Sequence, residues 1–128
     1  MAKKQIIKTD QAPFSPLYSQ AVRVGPTIYV SGTAAIDPAT KQLVGTTIQE
    51  QVRQALRNCQ AILEAGGATL ADVVQVTVLL ARPTDFGGLN EEYAKFFPTD
   101  PPARAVTKLG VELPNLLVSF LMTAYVSG

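Results

Sequence analysis

The 128-residue chain carries a formal charge of +1, with 47% hydrophobic and 16% charged residues. That balance describes an ordinary folded globular protein, and it disfavours both a disordered segment and a surface built to neutralise nucleic-acid phosphates. There is no His, no Trp and a single Cys, which removes Ser-His-Asp and Cys-His catalysis, His-based zinc sites, Cys-rich metal clusters and an intramolecular disulfide at once.

Whatever chemistry exists must come from Arg, Lys, carboxylates, Tyr, Ser, Thr, Asn or backbone groups, and no cofactor or metal is implied. The length suits one domain over residues 1–128. Lys3 and Lys4 are not followed by an apolar core or a cleavage site, and no apolar run reaches the roughly 20 residues that span a bilayer. A cytoplasmic protein with no membrane partner is expected.

In chain order, a short apolar segment at Gln5 to Lys8 leads into DQAPFSPLYSQ, whose two prolines and turn formers predict a long ordered loop. Ala21 to Val24 and Thr27 to Ser31 read as a strand pair turned at Gly25-Pro26. IDPATKQLVG supplies turn residues before a helix that begins at Thr46 or Thr47, where Thr47 and Glu50 have capping-box spacing, and that ends at Gly66-Gly67. Its apolar positions Ile48, Val52, Ala55, Leu56, Cys59, Ile62 and Leu63 step by three and four, so one face is buried and Arg53, Arg57 and Glu64 lie towards solvent. Cys59 on that face reads as a small buried hydrophobe rather than a nucleophile.

Val73 to Ala81 is a β-branched run followed by the turn Arg82-Pro83-Thr84-Asp85, with Asp85 the expected cap of a second helix. Phe86, Leu89, Tyr93, Phe96 and Phe97 give that helix one apolar face, and Pro98 closes it. Arg104 to Leu109 and Leu116 to Val126 read as strands joined through Glu112-Leu113-Pro114. LLVSFLMTAYV is apolar at nearly every position, which requires cover on both faces. Both helices belong to one side, so the other face is expected to close against copies of the chain. The expected order is β-β-α-β-α-β: an α+β fold with a mixed sheet and two helices on one face.

SPLYSQAV, IYVSGT, GGATLADVV, LNEEYAKFFP and PPARAV, in that order and spacing, together resemble the Rid family, also called YjgF and long labelled endoribonuclease L-PSP. The likeness runs over almost the whole chain. It implies a chorismate-mutase-like fold, a homotrimer whose sheets form a central barrel, and clefts between subunits that hydrolyse enamines and imines such as 2-aminoacrylate to keto acids and ammonia. The arginine of the family's proline-rich stretch holds the substrate carboxylate, and Arg104 stands at that position. A planar guanidinium grips a carboxylate through two parallel charge-assisted hydrogen bonds, although an arginine at a strand end also serves commonly as a surface ion-pair partner.

The resemblance carries over to Tyr18, to Ser31 and Gly32, and to Asn90 as substrate-binding positions. Tyr18 follows one extra residue, with Ser15 replacing the family's glycine. Two departures stand out. Val106 replaces a frequent cysteine, leaving only its backbone N–H for a ligand. The glutamate that positions the hydrolytic water has no counterpart in the last strand, where either Ser119 or Phe120 occupies its place. Ser119 can hold a water but cannot act as a base near neutral pH. Glu112 is the nearest acid after Arg104. A hydrolase using Arg104 and Ser119 is therefore one expectation, and a non-hydrolytic carboxylate-binding accessory protein is the other. RNA cleavage lacks support, given the neutral charge, the missing His and no basic stripe with interleaved aromatics.

Overall fold

The computed structural model describes residues 3–127. Six strands form one sheet: β1 (Gln5–Ile7), β2 (Ala21–Val24), β3 (Thr27–Ala34), β4 (Val73–Leu80), β5 (Ala103–Lys108) and β6 (Val118–Tyr125). Two α-helices, α1 (Ile48–Ala65) and α2 (Phe86–Tyr93), interrupt them. The spatial order is β1-β2-β3-β6-β4-β5, antiparallel throughout except for the β4/β5 pair. The sheet is mixed, as expected, but has one strand more at its start, and the last unit of the expected order is two strands. β1 is only three residues long and takes its register from β2 (Ile6 opposite Val22), a tertiary pairing that leaves little local pattern.

α1 forms where its periodicity places it. Thr47 accepts from the Glu50 amide at 3.2 Å while the Glu50 carboxylate accepts from the Thr47 amide at 3.1 Å, a reciprocal cap that satisfies two otherwise orphaned donors. These bonds hold the Glu50 carboxyl below its ordinary value. At the other end Gly66 is the C-cap, and Gly67 takes φ +88°, a left-handed turn that favours glycine. Every apolar position of the predicted stripe is buried. Gln51 and Asn58 are buried as well, and both are satisfied. Gln51 Nε2 donates to the Gly45 and Asn115 carbonyls and its Oε1 accepts from the Leu117 amide, while Asn58 Nδ2 donates to the carbonyls of Ala34 and Ile36. Both amides complete backbone ends that the sheet leaves unpaired.

Two local expectations need correction. Asp85 occupies the N-cap position of α2 but makes no side-chain capping bond; its carboxylate instead accepts from Arg82 Nε at 2.8 Å. Arg53, expected to face solvent, reaches across to α2 and grips the buried Glu92 carboxylate with two bonds, at 3.0 and 3.3 Å. Lys95 adds a third at 3.1 Å, so the carboxylate is held below its ordinary value, chiefly by the Arg53 bond. This ion pair fixes α2 against α1.

Paired residues on adjacent strands project to the same face. Val76, Val78, Val118, Phe120, Met122 and Ala124 point under the helices and are buried. The alternate residues form the opposite face, where Tyr29, Leu121 and Tyr125 remain 54%, 39% and 51% exposed. No element of the described chain covers that face.

Candidate functional site

Arg104 lies on β5, the outer strand beside β4, directly opposite Val76. It therefore projects to the helix face. Its guanidinium carbon stands 4.8 Å from the ring centre of Tyr93 and 5.9 Å from that of Phe86, inside the range of cation–π attraction. Tyr93 is itself held by edge-on contacts with Phe97 at 4.8 Å and Phe120 at 6.4 Å. Burial pushes the Tyr93 phenol up, an effect that the nearby Arg104 charge partly offsets. Among the described residues Arg104 makes no ion pair. The two rings hold the guanidinium by cation–π attraction while its N–H donors stay available.

Asn90, Tyr93, Ala94, Phe97, Pro101, Pro102 and Arg104 line one cleft of about 330 Å³. Asn90 Oδ1 is buried there without a hydrogen-bond partner among the described residues. Pro101 and Pro102 keep the approach to β5 extended. Val106, two residues along the same face, borders a separate depression beside Leu80, Pro83 and Phe86.

Ser119 belongs to the other side. It is opposite Leu79 on β4 and Ala34 on β3, three residues from Val76 and hence on the bare face. Tyr18, Ser31, Gly32 and Ser119 line a cavity of about 400 Å³ with Phe14, Leu109, Val111 and Leu113 among their neighbours. Gly32 sits in the bulge that shifts the β3/β6 register between Val30 and Thr33. A Cβ there would lie 3.4 Å from Ser119 Oγ, so the missing side chain leaves the hydroxyl uncovered. The loop carrying Tyr18 is ordered by Gln20, whose amide bonds to the backbone of Thr9, Ala12 and Pro13, and by the Ser31 amide and hydroxyl, which donate to the carbonyls of Gln20 and Ser19.

Phe120 is fully buried under the helices, which leaves Ser119 as the one of the two that reaches a cavity. No Asp or Glu lines that cavity among the described residues; Glu112 is exposed on the loop between Val111 and Leu113. No group of three or more metal-ligating side chains is found among the described residues, and no described helix is long and apolar enough to cross a membrane. Cys59 is buried, and desolvation pushes its thiol up to about 12.

The candidate residues thus fall into two groups on opposite faces of one sheet. Tyr18, Ser31, Gly32 and Ser119 share one cavity, Arg104 and Asn90 share another, and Val106 borders neither. With strands about 4.8 Å apart and a rise of about 3.3 Å per residue, the Arg104 and Ser119 backbones are roughly 14 Å apart across β4. Two contributors were missed from the sequence. Tyr93 reads as part of an apolar stripe, although its place three residues after Asn90 puts both on one helix face, and Gln20 reads as a turn residue.

The family model described as endoribonuclease L-PSP matches residues 9–126. A RutC family protein of Pyrococcus horikoshii is 40% identical over 124 residues, covering 95% of this chain and 98% of its own. The 2-iminobutanoate/2-iminopropanoate deaminase of Rattus norvegicus is 47% identical over 103 residues, covering 80% of this chain and 75% of that protein. The crystal structure of RidA from an Antarctic Psychrobacter superposes with a TM-score of 0.89 at 37% identity, covering 95% of this chain and 99% of that one. With its sheet order, its proline-guided arginine and this span of likeness, the chain belongs to the endoribonuclease L-PSP family, also called the Rid or YjgF family.

Proposed function

We propose that this protein hydrolyses small carboxylate-bearing imines and amino-unsaturated acids to keto acids and ammonia, in clefts formed between neighbouring copies of a homotrimer. The observation that carries this reading is Arg104: a guanidinium without an ion-pair partner among the described residues, standing over the Tyr93 ring at the mouth of a cleft. The naming of a 47% identical protein as a 2-iminobutanoate/2-iminopropanoate deaminase supports the substrate class. The exposed apolar face supports the assembly.

Arg104, with Asn90 beside it, holds the carboxylate. Tyr18, Ser31, Gly32 and Ser119 of the adjoining copy complete the cleft. Water held by Ser119 adds its oxygen to the imine carbon, protons pass to nitrogen, and the carbon–nitrogen bond breaks to release ammonia. Imines accept water readily, so positioning and desolvation do most of what a strong base would otherwise do. The test is competition between hydrolysis and semicarbazide trapping of 2-iminobutanoate made in situ by an amino-acid oxidase. The wild type lowers the trapped fraction and Arg104→Ala does not. An unchanged variant would remove Arg104 from the reaction.

A second reading rests on the cavity beside Ser119, which no carboxylate lines among the described residues. In that case the protein binds a keto or aromatic acid without hydrolysis, in a pathway-accessory role. It predicts keto-acid binding by wild type with no effect on any imine. Ribonuclease activity is not favoured, because the chain has no His and a net charge of +1.

A further inference from the structure

The guanidinium of Arg104 is seated by one short helix. Phe86 and Tyr93, the first and last residues of α2, stand about two turns apart on one face, and Arg104 lies 5.9 Å and 4.8 Å from their ring centres. α2 has little of its own to hold that face in place. It is eight residues long, contains Gly87 and Gly88 and receives no side-chain cap from Asp85, and helices so short do not persist by themselves in water. Its setting therefore comes from α1, at two points. A Cβ on Gly88 would lie 2.5 Å from Ile48 Cγ2, so the glycine lets the first turn of α2 press against α1. At the last turn Glu92 is buried. Arg53 meets both of its oxygens, Nε donating to Oε2 at 3.0 Å and Nη2 to Oε1 at 3.3 Å, while Lys95 Nζ donates to Oε1 at 3.1 Å.

Donors on both oxygens fix a direction as well as a distance. Successive helix residues point about 100° apart, so holding Glu92 towards α1 sets where Tyr93 points. A rotation of about 10° moves a ring about 6 Å from the helix axis by about 1 Å, and a misplacement of about 1 Å costs up to about 100-fold in rate. Resting on the deaminase reading above, we infer that Glu92 is a positioning residue for that reaction: clamped by Arg53, it sets the rotation of α2 and so holds Phe86 and Tyr93 where they seat the carboxylate-binding Arg104. Glu92 acts through Arg104 and does not touch the substrate. A buried ion pair often adds no more stability than apolar side chains of similar size, so experiment can separate orientation from stability here.

The test is a double-mutant cycle on affinity for 2-oxobutanoate, read by calorimetric titration, with kcat/KM for 2-iminobutanoate followed by the semicarbazide competition. Arg53→Met with Glu92→Leu puts apolar side chains of similar size in place of the pair. It is expected to weaken binding and lower kcat/KM by about 5-fold or more, a share of what charge-assisted bonds to the carboxylate supply. Added to Arg104→Ala, the same replacement is expected to weaken binding no further. Glu92→Gln leaves Arg53 an acceptor and is expected to lose less, about 2-fold. Where the paired replacement does not fold, Glu92→Gln with and without Arg104→Ala carries the same cycle. Ile28→Val thins the buried core near Gly66, at the other end of α1; it is expected to lower the melting temperature and leave affinity unchanged. Unchanged affinity on losing the pair, an equal loss when Arg104 is already absent, or an equal loss in Ile28→Val would overturn the inference and leave the deaminase reading standing. If the wild type accelerates no imine, the deaminase reading fails and the inference with it.

Discussion

Arg104 shows what one residue in a fixed frame can do. Its donors carry no internal ion pair among the described residues, so replacing it is expected to remove the proposed ligand contact at little cost to the fold. Arg104→Ala is expected to weaken binding of 2-oxobutanoate by about 10- to 100-fold, the range for losing charge-assisted hydrogen bonds, with an unchanged melting temperature; Arg104→Lys recovers part of it. Calorimetric titration measures the former and a thermal melt the latter. Ser119→Glu adds the carboxylate the cavity lacks and is expected to raise kcat by about 100-fold if proton transfer limits the rate. The place of Arg104 at a strand entrance was legible because the two preceding prolines forbid a helix there. Tyr93 was not legible as a site residue, because a tyrosine at helical spacing looks the same whether its ring packs inwards or also carries a guanidinium.

At the scale of elements, polar side chains buried in α1 and α2 do the positioning. Gln51 holds three backbone groups on two loops. Gln51→Ala leaves them without partners and is expected to cost about 2–3 kcal/mol in urea denaturation, allowing for water reaching some of them. Glu92 has a folded pKa below its ordinary 4.5. It therefore contributes its stability in full above that ordinary value and loses it as pH falls through the depressed one. The urea midpoint of wild type is expected to fall more between pH 6 and pH 3 than that of Glu92→Gln; equal losses would assign acid sensitivity to other groups. Periodicity and caps made α1 legible almost to the residue. β1, the extension of β3 to Ala34 and the use of Asp85 by Arg82 were not, since each depends on a partner distant in sequence or on a choice between two nearby bonds.

For the whole molecule, the governing fact is a sheet with one covered and one bare face. The near-continuous apolar pattern of β6 predicts a second cover, and the exposed Tyr29, Leu121 and Tyr125 lie on the face that the proposed assembly would close. Leu121→Glu puts a charge in the centre of that face and is expected to convert the proposed trimer into monomers in sedimentation equilibrium; an unaffected assembly would mean that copies meet elsewhere. The sequence could not show that Arg104 and Ser119 project from opposite faces, because that follows from their registers with β4. The separation makes the two-chain cleft the central claim, and complementation tests it most directly. Arg104→Ala and Ser119→Val chains, each inactive alone, are co-expressed in equal amounts and assayed on an imine that the wild type hydrolyses. If clefts combine Arg104 of one copy with Ser119 of the next, random mixing leaves about one cleft in four intact, so about a quarter of wild-type activity returns. Activity no greater than that of the separate variants, in mixed assemblies of native size, would contradict the account.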